Sequence, residues 1–316
     1  NAEVIVSSGV INSPQLLMLS GVGEPAHLRE HGISVVAGLD AVGKNLQDHL
    51  DVAVQQTCEK PVSLYGLTSW PSKLRLGAQW MFFGTGPGAT GHSETGGFLR
   101  TNNDVDTPDV QLHFLPMVMQ RGSVLPQTHG YQLHVCQLRQ ESRGTLKLRS
   151  ADPSEHPVID ANYLQTDADR RCMRDGVKIV REILSQPAFD EFGATDLHPG
   201  PGNLSDEDID AFVRQRSETC YHPCGTCKMG TDDNAVVDPE LKVRGVEGLR
   251  VVDASVMPTV VSGNLNGPTI MIAEKAADMI LGRDSLPAVG VAVAAPVARG
   301  QPKRSRIKFD ARARAS

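Results

Sequence analysis

The spacing of apolar residues changes twice along this chain of 316 residues. Between about residues 109 and 150, the segments VQLHFLP, YQLHVCQL and TLKLRS alternate apolar and polar residues, as half-buried strands do. Helical spacing precedes this block at 71–83 and follows it at 166–184 and from Ser205, where SDED is a capping-box pattern. The pattern therefore predicts an α+β fold with an antiparallel sheet interrupted and flanked by helices.

Short α/β-like segments lie on both sides of the sheet block. The first predicts a buried strand at Glu3–Val6 and a helix that Ser13 caps, with Pro14 in its first turn. The second predicts a strand at 249–252 and a helix at about 269–281. Because the two flanks must meet while the middle forms its own sheet, the order is typical of a discontinuous two-domain enzyme. The sequence opens inside a strand pattern without an initiator Met, so we expect the C-terminal part of a longer protein.

Composition excludes several classes of protein. Hydrophobic residues make up 40% and charged residues 22%, as in an ordinary globular chain, and the net charge of -6 argues against a nucleic-acid partner. No apolar run reaches the roughly 20 residues of a membrane-spanning helix. Six scattered cysteines are too sparse for a disulfide scaffold and favour reduced thiols in an intracellular protein, either cytoplasmic or peripheral at the cytoplasmic membrane face.

The last residues, 285–316, are rich in Ala, Val and Pro and then in Lys and Arg, with Asp310 as the one acidic residue after Arg299. This composition predicts a disordered basic tail. Peripheral contact with an acidic lipid surface, or with a protein partner, is the alternative.

Two short motifs are weak on inspection. GPGATG at 86–91 formally matches G-x-G-x-x-G, but a helical pattern precedes it where a dinucleotide site needs a strand, so a loop is expected. Cys224 and Cys227 form a C-x-x-C motif without two further zinc ligands at suitable spacing or a βαβ context. We expect structural thiols there and no metal site, with metal or redox duty as the alternative.

Polar residues that suit catalysis concentrate in two segments. YHPCGTCKMG at 221–230 places His222 in a turn fixed by proline and glycines, and GNLNGPT at 263–269 places Asn264 and Asn266 before a helix. A helix N-terminus and amide side chains suit an electron-rich ligand. Packing or capping by His222, and N-capping by the asparagines, are the structural alternatives.

Four ordered segments together resemble one enzyme family, namely GVINSPQLLMLSGVG, VGKNLQDHL, YHPCGTCKMG and DASVMPTVVSGNLNGPTIMIAEKAADMI. With HFLP, SRG and DP in the middle block, they are similar to the glucose-methanol-choline (GMC) oxidoreductases, a family of FAD enzymes, and within it to choline and other alcohol dehydrogenases. The resemblance runs from residue 1 to about residue 283.

The resemblance implies the C-terminal part of a two-domain FAD-linked enzyme whose N-terminal Rossmann part, with the true fingerprint, is not in this sequence. It implies FAD-domain segments at 1–60 and 216–284, an antiparallel-sheet substrate domain at 61–215, and the tail beyond.

By the same resemblance, His222 is the catalytic base beside the flavin N5, and Asn264 is its partner. They would oxidise a primary alcohol to the aldehyde by hydride transfer to the flavin. The residues that the resemblance assigns to FAD are Tyr221, Asp253, Ala254, Asn266, Pro268 and Thr269.

Choline or a choline-like alcohol is the expected substrate, with a quinone, the respiratory chain or O₂ as electron acceptor. A quaternary ammonium needs a carboxylate and aromatic walls. Glu94 is the candidate carboxylate, and the candidate walls are Tyr65, Trp70, Trp80 and Phe82. A different alcohol or polyether, an oxidase, a lyase without redox chemistry, and an inert fragment or binding domain are the alternatives.

Overall fold

The computed structural model describes residues 3–93, 95–120, 123–124, 128–284, 286 and 290. The predicted substrate carboxylate Glu94 and the predicted basic tail fall outside this described part, apart from two isolated residues of the tail. The helices within it are α1 (Gly9–Leu19), α2 (Pro25–Glu30), α3 (Trp70–Phe83), α4 (Asp167–Leu184), α5 (Asp206–Arg216) and α6 (Asn266–Ile280). The strands are β1 (Val4–Val6), β2 (Val22–Gly23), β3 (Ala37–Gly38), β4 (Leu50–Cys58), β5 (Thr95–Leu99), β6 (Val110–Leu115), β7 (Met119–Gln120), β8 (Ser123–Val124), β9 (Gly130–Gln137), β10 (Thr145–Lys147), β11 (Val158–Asp160), β12 (Ala194–His198), β13 (Glu218–Thr219) and β14 (Leu249–Val251).

The largest sheet has six strands in the order β12-β4-β9-β6-β5, with β13 also paired to β4. All its pairs are antiparallel, which confirms the predicted antiparallel block. Two of the three predicted alternating segments form β6 and β9, whereas the third forms β10 and pairs with β11 in a separate sheet. The sheet also takes in β4 and β13, so the predicted segment boundaries near residues 60 and 215 cut through it.

One face of this sheet packs on α4 and α5. Leu50, Val52 and Val54 alternate along β4 and join buried residues of β6, β9, α4 and α5 in one hydrophobic cluster. A Cβ on Gly176 of α4 would lie 2.5 Å from Val135 of β9, so glycine permits the close approach of helix and sheet. The alternate residues of the same strands face the other way, and many of them are polar.

A second cluster forms where β1 and β14 pair in parallel next to α1 and α6. The expectation of a buried strand at Glu3–Val6 is wrong for most of its length, because Val6 alone of the strand's three residues joins the cluster. Val4 and Ile5 are 58% and 44% exposed.

The expected start of α1 is also wrong. The helix begins at Gly9 after Ser8, so Ser13 and Pro14 lie inside it and Ser13 is not the cap. Proline cannot donate to the carbonyl four residues earlier. That carbonyl, on Val10, accepts instead from the Thr226 hydroxyl at 2.7 Å, which ties α1 to the YHPCGTCKMG segment.

The other local predictions fare better. The Ser205 capping box is present, with Asp208 as its second member, and α6 begins three residues before the predicted start. GPGATG follows α3 and forms a short 3-10 turn, which confirms that this motif lacks the strand-and-helix setting of a dinucleotide site. Cys224 and Cys227 are buried free thiols. Within the described residues, no helix combines the length and apolarity needed to cross a bilayer.

Candidate active site

The turn that carries His222 is fixed against the segment before β4. Tyr221 adopts a left-handed backbone at φ 61°, and Gly225 has φ 92°. A Cβ on Gly225 would lie 2.6 Å from the Asn45 carbonyl oxygen, so no other residue fits there without displacement. The backbone N–H of His222 donates to Asp48 Oδ1 at 2.9 Å. The backbone position from which the His222 side chain extends is therefore fixed.

His222 and Asn264 lie together, which agrees with the pairing that the family resemblance implies. Asn264 Nδ2 is 3.2 Å from His222 Nε2, although the two residues are 42 positions apart. Gln111 of β6 donates to Asn264 Oδ1 at 3.3 Å and orients the amide. An imidazole nitrogen and an amide donor thus share one exposed spot beside the N-terminus of α6.

His49, which the sequence analysis did not single out, completes the site. Its ring is fully buried, and its Nδ1 lies 3.1 Å from His222 Nδ1. Its Nε2 lies 3.0 Å from the Val261 carbonyl oxygen. Burial, and then the neighbouring His222, lower the pKa of His49 to about 4, so this imidazole is neutral at neutral pH.

Asp48 anchors the turn that carries His222 through hydrogen bonds. Its carboxylate accepts from the His222 N–H, the Tyr163 hydroxyl and the Thr219 hydroxyl. Both Asp48 and His49 belong to the NLQDHL segment. That segment carried the family resemblance, and its Asp-His pair was the available signal for these two residues.

Two thiols adjoin the histidine pair. A hydrogen bond with Cys136 lowers the pKa of Cys220, and a hydrogen bond with Cys220 in turn raises the pKa of His222. The ligand atoms of His49, Cys136 and His222 lie within 4.8 Å of one another and are of types that bind transition metals. The two histidine nitrogens already share a hydrogen bond, so we interpret the cluster as a hydrogen-bonded site.

The polar face of the large sheet lines a cavity of about 690 Å³ next to Tyr221. Asp51 Oδ2 is 2.5 Å from His134 Nδ1 within it. Burial alone would lower the pKa of His134, but the Asp51 carboxylate outweighs it and raises that pKa. Asp51 Oδ1 is buried and has no hydrogen-bond partner among the described residues. Glu218, at the edge of the cavity, is a second carboxylate.

The residues predicted to contact the cofactor fall into two groups. Asp253 is occupied by the chain itself, since its carboxylate accepts from the Gly9 and Ser255 N–H groups and the Ser13 hydroxyl. Asp253 thereby places a negative charge at the N-terminus of α1, where the helix dipole favours it. The other predicted residues lie along the turns and at the start of α6, where no side chain caps the first N–H groups. They are Tyr221, Ala254, Asn266, Pro268 and Thr269.

Comparisons with known proteins agree with this architecture. Two family models described as GMC oxidoreductase match the chain, one for the N-terminal part over residues 1–51 and one for the C-terminal part over residues 140–273. The "oxygen-dependent choline dehydrogenase" of Brucella ovis is 50% identical over 287 residues, which is 90% of this chain and 52% of that protein. The protein of the same name from Burkholderia orbicola is 51% identical over 307 residues, 97% of this chain and 54% of that protein.

Solved structures of oxidases are also similar to this chain. The formate oxidase of Aspergillus oryzae superimposes with a TM-score of 0.82 at 29% identity, over 89% of this chain and 54% of that one. A pyridoxine 4-oxidase from Mesorbium loti gives 0.75 at 27% identity, over 90% and 52%. The chain thus spans about half the length of the relatives it matches.

Proposed function

Because this chain belongs to the GMC oxidoreductase family, we propose that it carries the substrate side of an FAD-dependent enzyme that oxidises a primary alcohol to the aldehyde. The observation that carries the proposal is the pairing of His222 Nε2 with Asn264 Nδ2 at 3.2 Å. A proton acceptor and a hydrogen-bond donor at one exposed spot are what an alcohol needs as its oxygen gains charge.

The residues around this spot fit a flavin ring. The N-terminus of α6 has uncapped N–H groups, which suit the electron-rich edge of a ring system. Ile270 and Met271 on α6 are 53% and 56% exposed and offer apolar contact. Asn264, Asn266 and Thr269 add polar groups at the same end of the helix. FAD, when bound, supplies the acceptor for the hydride.

The chain's own residues would bind and activate the alcohol. Asn264 donates to the alcohol oxygen and stabilises the negative charge that develops there. His222 accepts the hydroxyl proton at Nε2, since its other nitrogen is engaged with His49. The Asp48 contact to the His222 backbone keeps the imidazole in reach. Once the hydroxyl proton is removed, the hydrogen on the carbon that bears this oxygen can leave as a hydride.

Choline is the substrate that we propose. Asp51 and Glu218 line the cavity next to the His222 turn, and the buried Asp51 oxygen without a partner suits a cationic head group. About 50% identity to proteins named choline dehydrogenases supports the same substrate class. The electrons would then pass to O₂ or a quinone, which oxygen consumption during turnover would distinguish.

The test is anaerobic flavin reduction in the flavin-loaded protein. Choline should bleach the flavin, and 3,3-dimethylbutan-1-ol, which has the same shape without the charge, should do so with a higher KM. His222→Gln should lower the reduction rate by about 10²–10⁴-fold, the range expected when a general base is lost. A flavin that no alcohol bleaches, or a His222→Gln variant within tenfold of the parent rate, would contradict the proposal.

A further inference from the structure

We propose that His49 is a positioning residue that holds His222 as the Nδ1–H tautomer, so that the lone pair of His222 lies on Nε2 beside Asn264. The inference rests on the proposed function for its kinetic consequence and on the hydrogen-bond chain alone for the tautomer. His49 does not touch the alcohol in this scheme and acts through His222.

The chain of hydrogen bonds starts at a backbone carbonyl. The Val261 oxygen can only accept, so the His49 Nε2 that lies 3.0 Å from it must carry a hydrogen. A neutral imidazole has one N–H. When that hydrogen is on Nε2 of His49, the other nitrogen, Nδ1, is an acceptor. The fully buried position of His49 disfavours the charged form, in which both nitrogens would donate.

The next link is the pair of Nδ1 atoms. With His49 Nδ1 as the acceptor, the hydrogen between the two rings at 3.1 Å belongs to His222 Nδ1. The rings meet edge to edge at 85° with centroids 5.2 Å apart. In proteins, the hydrogen bond made by one imidazole nitrogen sets the state of the other. His222 therefore gains and loses its proton at Nε2.

The hydrogen bonds at Asn264, on the other side of His222, agree with the Nδ1–H tautomer. Gln111 donates to Asn264 Oδ1, which turns the Asn264 Nδ2 donor toward His222 Nε2 at 3.2 Å. A donor at that place needs a lone pair opposite. The Val261 end carries more weight, because a backbone carbonyl cannot be turned round as a side-chain amide can.

Charged and titratable groups, together with burial, act on the pKa of His222 in both directions. Cys220, Asp48 and Asp51 raise the pKa of His222, whereas burial lowers it. His113 and His134 face the same polar surface from β6 and β9, and Cys136 lies beside His49. Protonated His222 also donates from Nδ1 to His49, so the titrating hydrogen is on Nε2 in either state.

Two variants of His49 separate this role from a general structural one. Asn carries an oxygen at the position of Nδ1, so His49→Asn keeps an acceptor for His222 and loses the contact with Val261. Gln reaches the position of Nε2, so His49→Gln keeps the contact with Val261 and loses the acceptor. The pair therefore exchanges one contact for the other at similar polarity.

The first measurement is ¹⁵N NMR of histidine-labelled protein, with the His222 signals assigned from the His222→Gln variant. As pH rises, the nitrogen of His222 that loses its hydrogen should be Nε2 in the parent and in His49→Asn. In His49→Gln, both tautomers should appear. Loss of the hydrogen from Nδ1 in the parent would overturn the proposal, and this result needs no enzymatic activity.

The second measurement is the rate of anaerobic flavin reduction by choline. His49→Gln should have a reduction rate at least tenfold below that of His49→Asn, because only in the former is the base free to hold its lone pair on the wrong nitrogen. KM should change much less than the rate, since His49 does not contact the alcohol. Equal rates for two folded variants would also overturn the proposal. Should both variants fail to fold, the parent spectrum decides alone.

Discussion

At the scale of single residues, the thiol of Cys220 is the neighbour that most affects the proposed base. Its hydrogen bond is the largest contribution that raises the pKa of His222, ahead of the carboxylates of Asp48 and Asp51, while burial lowers it. The base acts only when Nε2 has no hydrogen. The rate of flavin reduction should therefore rise with pH through a pKa above the ordinary 6.5 of histidine.

Replacing this thiol should move the pH profile. In Cys220→Ala the main cause of the upward shift is gone, so the pKa seen in the reduction rate should fall and relatively more of the maximal rate should remain under slightly acidic conditions. The measurement is the pH dependence of kcat/KM for choline. Cys58→Ala is the matched control. Cys58 is the last residue of β4, whereas Cys220 follows β13, which pairs with the first residues of β4. A profile for Cys220→Ala that superimposes on the parent's would show that the thiol does not tune His222.

At the scale of elements, α1 depends on a hydroxyl from another part of the chain. Pro14 leaves the Val10 carbonyl without its helical donor, and the Thr226 hydroxyl replaces it at 2.7 Å in a fully buried position. Thr226→Val keeps the shape of the side chain and removes the donor. We expect this variant to lower the free energy of unfolding by about 1–3 kcal/mol, the cost of a buried acceptor left unpaired.

A second substitution tests that reason directly. Pro14→Ala restores an N–H that can bond to the Val10 carbonyl within α1. In the Pro14→Ala background, Thr226→Val should therefore cost much less than in the parent, and denaturant unfolding of the four proteins measures the coupling. Equal costs in the two backgrounds would mean that Thr226 stabilises the fold by some other contact.

The sequence predicted the elements that local patterns control and missed those that depend on distant partners. The Ser205 capping box follows from residues three positions apart and is present. Ser13, by contrast, looks like a cap but lies inside α1, where it donates to Asp253, 240 positions away. The helix could extend back past Pro14 because Thr226 supplies the missing donor.

The same distinction applies to the site. His222 and Asn264 stand in distinctive segments and could be identified from them. The contact of His49 with His222, 173 positions away, depends on the pairing of β4 with β13 and on the turn that follows β13. No local pattern encodes that pairing, because strand register is fixed by which faces become buried together.

At the scale of the whole molecule, His49 lies between two hydrophobic clusters. Val42, seven residues before it, packs in the cluster around α1 and β14, and Leu50, the next residue after it, packs in the cluster against α4. A charge on this buried imidazole would destabilise the packing where the two hydrophobic clusters meet. The pKa of about 4 in the folded protein, against 6.5 in an unfolded chain, makes folding sensitive to acid.

The sign follows from proton counting. Between pH 6.5 and about 4 the unfolded chain binds a proton at His49 that the folded protein does not, so the free energy of unfolding falls as the pH falls through this range. The loss should be on the order of 3 kcal/mol by pH 4, since each pKa unit corresponds to about 1.4 kcal/mol. The raised pKa of His134 acts at the other side, since the stability that it contributes is present at acid pH and is lost as the pH rises through the folded-state pKa.

Denaturant unfolding at several pH values measures this dependence. The His49→Asn variant cannot take up the proton, so its free energy of unfolding should fall less steeply with acid than the parent's, by up to one proton in the slope. Other histidines with lowered pKa values, such as His27 and His198, contribute equally to both proteins and cancel in the comparison. Parallel curves for the two proteins would mean that His49 takes up its proton without unfolding the chain, and the junction between the clusters would then tolerate the charge.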